Sequence, residues 1–140
     1  IGDTFRWKGE NVSTQEVQEI VSQFGGVSLV NVVGVEVPHA EGRAGLAAIT
    51  MDGGRQFDPQ AFYGFVSSKL PAYARPAFVR LISEMELTGT FKMKKTDLKS
   101  QGYDPSMISE PVYYRDDAAR TYSPLDPVKA RGIHEGAIRF

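Results

Sequence analysis

The stretch V27-S-L-V-N-V-V-G-V-E-V-P38 decides how the rest of the chain is read. Its valines are stiff at the first side-chain torsion and favour the pleated backbone, and Pro38 closes the run because it donates no hydrogen bond. A strand is therefore expected there. The run is also the longest apolar stretch in the chain. Ser28, Asn31, Gly34 and Glu36 interrupt it well short of the ~18 apolar residues a membrane span needs.

Upstream of this strand, Phe5 and Trp7 alternate with Arg6 and Lys8. That alternation predicts a short strand that turns through Gly9-Glu10-Asn11 into Val12. Ser13-Thr14-Gln15-Glu16 has the Ser-x-x-Glu form of a capping box, in which the serine oxygen accepts from the free amides of a helix start. Val17, Ile20, Val21 and Phe24 follow at helical spacing and give that helix one apolar face, and Gly25-Gly26 ends it.

Downstream, 39–45 is a polar loop, Leu46-Ala-Ala-Ile-Thr-Met51 a second strand and Asp52-Gly53-Gly54 a turn. Asp58-Pro59 pairs an N-cap aspartate with proline at the first helical position. Phe62, Phe65, Val66, Lys69 and Leu70 complete an amphipathic helix ended by Pro71. A strand over Phe78 to Ile82 and one helical turn near 96–100 come next. The order predicts a small α+β domain: a mixed sheet with two main helices packed on it and an N-terminal hairpin. From Gly102 onward prolines recur at 105, 111, 124 and 127 and apolar periodicity fades, so 117–140 is expected as an extended or disordered tail.

With 140 residues and 41% hydrophobic content the chain suffices for one core. Sixteen basic against 17 acidic residues give a net charge of −1, which argues against a nucleic-acid binder. There are no cysteines, hence no disulfides, in keeping with a reducing, cytoplasmic setting. His39 and His134 lie apart, and no carboxylates or histidines show metal-ligand spacing.

One lysine stands out. In Glu86-Leu-Thr-Gly-Thr-Phe-Lys-Met-Lys-Lys95, a Thr-Gly-Thr turn immediately precedes Phe91 and Lys92. A turn fixes the backbone while leaving a compact ammonium on a flexible stem, suited to an oxygen whose charge grows during reaction. Taken by itself, a solvated surface lysine explains Lys92 as well, and a small module binding single-stranded nucleic acid or a protein through Lys92, Lys94 and Lys95 is the rival reading.

Three separated stretches carry a family resemblance: 2–17 (GDTFRWKGENVSTQEV), 70–81 (LPAYARPAFVRL) and 87–95 (LTGTFKMKK), with 102–116 (GYDPSMISEPVYYRD) extending it. In order and spacing they resemble the C-terminal domain of the adenylate-forming superfamily of acyl-CoA synthetases, luciferases and peptide-synthetase adenylation domains. Their wording is most similar to the branch of fatty-acid transport proteins and very-long-chain acyl-CoA synthetases. The resemblance covers 1–116 and leaves 117–140 outside.

It implies a lid belonging to a larger enzyme that uses ATP, Mg2+, a fatty acid and coenzyme A, with a large N-terminal adenylation domain as its partner. It implies no bound cofactor and little activity for the lid alone, and leaves peripheral membrane association of the whole protein open. Lys92 aligns with the lysine that enters the site during adenylation, although Thr90-Phe91 stands where the usual pattern has Ser-Gly. Gly9, Glu10 and Asn11 align with the loop that borders the pantetheine tunnel during thioester formation; a plain β-turn is the competing reading. Gly2 falls at the hinge, where most members carry a charged residue; an ordinary loop glycine competes. Arg6, Lys8, Lys69 and Arg75 are candidates for coenzyme A phosphate contacts, with plain surface charge as the alternative.

Overall fold

The computed structural model describes residues 3–83 and 95–140. Gly2 and Lys92 lie outside the described residues. Within them the chain forms a two-stranded hairpin, β1 (Thr4–Trp7) with β2 (Glu10–Ser13), and a five-stranded sheet ordered β3-β4-β5-β6-β7. The sheet strands are β3 (Val27–Glu36), β4 (Arg43–Met51), β5 (Phe78–Leu81), β6 (Val112–Asp116) and β7 (Thr121–Pro124). The β4–β5 pair is parallel and the other three pairs are antiparallel, so the sheet is mixed as the sequence predicts.

Helices α1 (Thr14–Val21) and α2 (Pro59–Lys69) start where expected. Ser13 accepts from the Glu16 amide at 3.3 Å, and Asp58 Oδ1 accepts from the Ala61 amide at 3.1 Å with Pro59 at the helix start. Each satisfies an amide that a helix start leaves without an internal partner.

Registers show what each face of the sheet carries. Val32, Ala47, Val79 and Tyr113 align across β3, β4, β5 and β6 and therefore share a face. Phe57 reaches Tyr113 with ring centroids 5.4 Å apart, and Phe62 of α2 lies 5.1 Å from Phe24 and 5.2 Å from Tyr122. This is the α1/α2 side. Phe78 and Tyr114 align on the opposite face, where Phe78 stacks on Tyr103 at 4.0 Å and meets Phe140 at 5.2 Å.

That second face corrects the tail expectation. Residues 117–140 do not run extended or disordered; they add β7 to the sheet and then α4 (Pro127–His134). Tyr122 and Ile133 are buried, and the Tyr122 hydroxyl donates to the Pro76 carbonyl at 2.6 Å. Asp126 Oδ1 accepts from the Lys129 amide at 2.8 Å, so Asp126-Pro127 starts α4 with the device that Asp58-Pro59 uses for α2. The short α3 (Lys95–Gln101) packs against β3 and buries Leu98.

Candidate functional site

The hairpin presents the first candidate surface. Trp7 pairs with Glu10, leaving Lys8 and Gly9 as a two-residue connection with φ of 50° and 85°. Positive φ at both positions is the type I′ geometry that matches strand twist, and it explains the glycine by backbone need. A Cβ at Gly9 would meet nothing within 4 Å, so the turn faces open space. The β-turn reading and the ligand-loop reading therefore remain compatible: the turn requires Gly9, and its outer surface is free to be approached. Glu10 and Asn11 are exposed at the start of β2, and Arg6 donates to the Gly9 carbonyl at 3.0 Å.

Three glycines, which no local motif marks, seat this hairpin on the sheet. Gly34 and Gly45 lie opposite one another in the β3–β4 register. The ring-bearing side of Phe5 fills the space above them: a Cβ on Gly34 would fall 2.7 Å from Phe5 and one on Gly45 would come within 3.3 Å. Gly42 bridges to Trp7, has φ of +79°, and would drive a Cβ to 2.2 Å from the Arg6 carbonyl. Only strand pairing reveals this seat; in sequence the three are merely glycines in and after a valine-rich run.

The other candidate cations have defined neighbours. Arg75 donates to the Leu70 carbonyl at 3.0 Å and the Ser67 carbonyl at 2.9 Å, completing the C-terminal end of α2. Lys69 is exposed in the last turn of that helix. Lys8 lies over the Trp7 ring at 5.2 Å and donates to the Phe140 carbonyl. Among the described residues no three His, Asp or Glu side chains gather as a metal site would need.

Perturbed titrations sit away from the hairpin. Burial raises the Tyr122 phenol, and burial with the Asp117 hydrogen bond raises Tyr63. Asp104 is held below the usual carboxylate range by the backbone amide and hydroxyl of Ser106.

Strand β5 points away from the hairpin. Phe78 pairs with Leu46 and Leu81 with Ile49, so β5 runs away from the Gly42–Gly45 end of β4, where the hairpin sits. From Gly45 to Ile49 is about 13 Å along the strand at ordinary β rise. β5 therefore ends, at Leu81, at the end of the sheet away from the hairpin seat, while Lys99 of α3 lines a cavity with Phe5 and Arg6.

A family model for the AMP-binding enzyme C-terminal domain matches residues 16–92. The chain belongs to that family. Among curated proteins it is 45% identical over 136 residues to long-chain fatty acid transport protein 5 of Mus musculus, covering 97% of this chain and 20% of that protein. It is 47% identical over 125 residues to long-chain fatty acid transport protein 1 of the same species, covering 89% and 19%. The chain thus spans about a fifth of the length of the curated relatives it matches. In fold it resembles coronafacic acid ligase from Pectobacterium brasiliense, with a TM-score of 0.65 at 17% identity over 80% of this chain and 21% of that one. Amide bond synthetase McbA from Marinactinospora thermotolerans gives 0.60 at 23% identity over 71% and 20%. Among the described residues no helix is long and apolar enough to cross a membrane.

Proposed function

We propose that this domain is the mobile C-terminal lid of a long- or very-long-chain fatty acid–CoA ligase, and that Lys92 and the Gly9-Glu10-Asn11 turn serve successive half-reactions. Family membership favours this over a nucleic-acid or protein-binding module, and the similarity to fatty acid transport proteins favours a fatty acid as substrate. The observation that carries the reading is the family match over residues 16–92, which takes in Lys92, beside a hairpin turn whose Gly9 faces open space. The Lys8-Gly9 turn belongs to the hairpin that Trp7 joins to Gly42. Lys92 and the Gly9 turn, carried on one mobile domain, would meet a single reaction centre in turn, after a rotation about a hinge at Gly2.

In the first half-reaction the fatty acid carboxylate attacks the α-phosphorus of ATP, forming an acyl-phosphate bond and releasing pyrophosphate. Lys92 would place its ammonium between carboxylate and α-phosphate, countering the charge that builds there. In the second, the coenzyme A thiol, having given up its proton, attacks the acyl carbonyl and expels AMP. The turn Gly9-Glu10-Asn11 would border the pantetheine arm, with the open face of Gly9 allowing close approach. ATP, its Mg2+ and the acyl chain would be held mainly by the N-terminal adenylation domain. The proposed setting is the cytoplasm, with peripheral membrane contact left to the complete protein.

The test is Lys92→Ala in the complete protein. Acyl-dependent pyrophosphate exchange should fall about 100-fold, the scale of losing one charge-stabilising donor. Acyl-CoA formation from supplied acyl-adenylate should persist. Equal loss of both steps would assign Lys92 a structural role and overturn the proposal. The 140-residue chain alone should show no acyl-CoA synthesis above background, and robust turnover by it would also contradict the reading.

A further inference from the structure

The family match ends at residue 92, yet long-chain fatty acid transport protein 5 of Homo sapiens aligns over 100% of this chain at 43% identity. Residues 117–140 therefore fall within the alignment to that relative while lying beyond the match to the general domain. Their last turn is directed with care. Gly136, at φ +83°, ends α4: its amide donates to the Ile133 carbonyl at 3.2 Å and the Ala137 amide to the Gly132 carbonyl at 2.8 Å. That is the Schellman pattern, in which a left-handed residue reverses the chain.

The reversal brings 136–140 onto the hairpin and the β3–β4 connection. His39 Nε2 meets the His134 carbonyl at 2.9 Å, and a Cβ on Gly136 would come within 3.2 Å of the His39 ring. Phe140 lies 5.2 Å from Phe78 and 6.5 Å from Tyr114, with the Arg115 guanidinium 5.7 Å from its ring centroid. The Phe140 carbonyl accepts from Lys8, the first residue of the hairpin turn. A cavity of about 340 Å3 remains between Trp7, Lys8, Pro38, His39, Arg139 and Phe140.

A two-stranded hairpin is marginal without support. This one is seated at its base by Phe5 on Gly34 and Gly45 and by Trp7 at Gly42. Its tip is held within the hairpin by Arg6, which donates to the Gly9 carbonyl, and from outside by the Phe140 carbonyl, which accepts from Lys8. We infer that 136–140 is a brace that holds the hairpin turn in place, with Phe140 and Lys8 as positioning residues for the thiol-transfer step. The inference rests on the assignment of the hairpin to that step under Proposed function. The aromatic seat of Phe140 fixes the brace to the sheet, and Lys8 ties the turn to the brace. The contacts cost the turn its freedom to wander, which is what presenting a backbone to a thiol arm at close range requires.

The experiment uses the complete protein with Phe140→Ala and Lys8→Met, the latter keeping the stem over Trp7 and removing the ammonium. Both variants should speed hydrogen exchange across 4–13 and slow acyl-CoA formation from supplied acyl-adenylate about tenfold. Pyrophosphate exchange should stay unchanged, and Phe140→Tyr should restore both readouts. Unchanged exchange across 4–13 overturns the brace, as does faster exchange with normal thioester formation, or equal loss of both half-reactions. Gly9→Val is run beside them. If it spares thioester formation, the assignment of the hairpin to that step fails, and the exchange data still decide whether the brace exists.

Discussion

Helices α2 and α4 begin with the same two residues, an aspartate that caps and a proline that fixes the first backbone angle, yet they lie differently in the molecule. After Asp58-Pro59, Phe62 and Val66 are fully buried, and Phe62 packs among Phe24, Phe57 and Tyr122. After Asp126-Pro127 only Ile133 of α4 is fully buried, Val128 is 70% exposed, and the helix ends by turning the chain towards the hairpin. The capping chemistry is equal; the apolar area behind it is not. One helix closes the core, and the other covers the far face and delivers a brace.

This contrast predicts a ranking of stability effects in urea unfolding of the 140-residue chain. Phe62→Ala should cost most, about 3–5 kcal/mol, because it removes a fully buried ring and leaves a cavity among other rings. Ile133→Ala should cost about 2–4 kcal/mol, at the lower part of the range for a buried aliphatic side chain whose surroundings can settle inwards. If the two costs reverse, α4 rather than α2 closes the core and the comparison breaks.

Tyr122 joins the two regions, since its ring meets Phe62 while its chain position lies in the stretch leading to α4. Tyr122→Phe should cost about 1–2 kcal/mol at neutral pH by leaving the buried Pro76 carbonyl without its 2.6 Å donor. Burial holds this phenol above its ordinary value of 10.0. Its neutral form is thus favoured in the folded state, so its contribution is fully present below pH 10 and declines as pH rises beyond that. A pH series of unfolding should show a shallower alkaline decline for the phenylalanine variant; identical slopes would remove Tyr122 as the cause. The smallest effects belong to the caps. Asp58→Ala and Asp126→Ala should each cost about 1 kcal/mol, and near equality would confirm that the helices differ in packing and share their starting chemistry.

The same comparison explains what sequence reading captures here. Asp58-Pro59 stands before phenylalanines at helical spacing, so local chemistry and periodicity agree. Asp126-Pro127 stands among recurrent prolines with one strongly buried residue after it, and the periodic signal that would have marked a helix is absent. The hairpin and the Ser13 cap are legible because each is a local contract between neighbours in sequence. The glycine seat under Phe5 is not, because it exists only once β3 and β4 pair in register. Likewise nothing local connects Lys8 with Phe140, which lie at opposite ends of the sequence. Lys92 and Gly2 are legible as motif positions, and both lie outside the described residues.

The central proposal is that one small domain offers Lys92 and the Gly9 turn to different half-reactions. The most direct measurement compares Lys92→Ala and Gly9→Val in the complete protein, each assayed for acyl-dependent pyrophosphate exchange and for acyl-CoA formation from supplied acyl-adenylate. A crossed pattern is expected: the lysine variant loses the first activity and keeps the second, and the glycine variant does the reverse. Parallel loss in both variants would contradict the account.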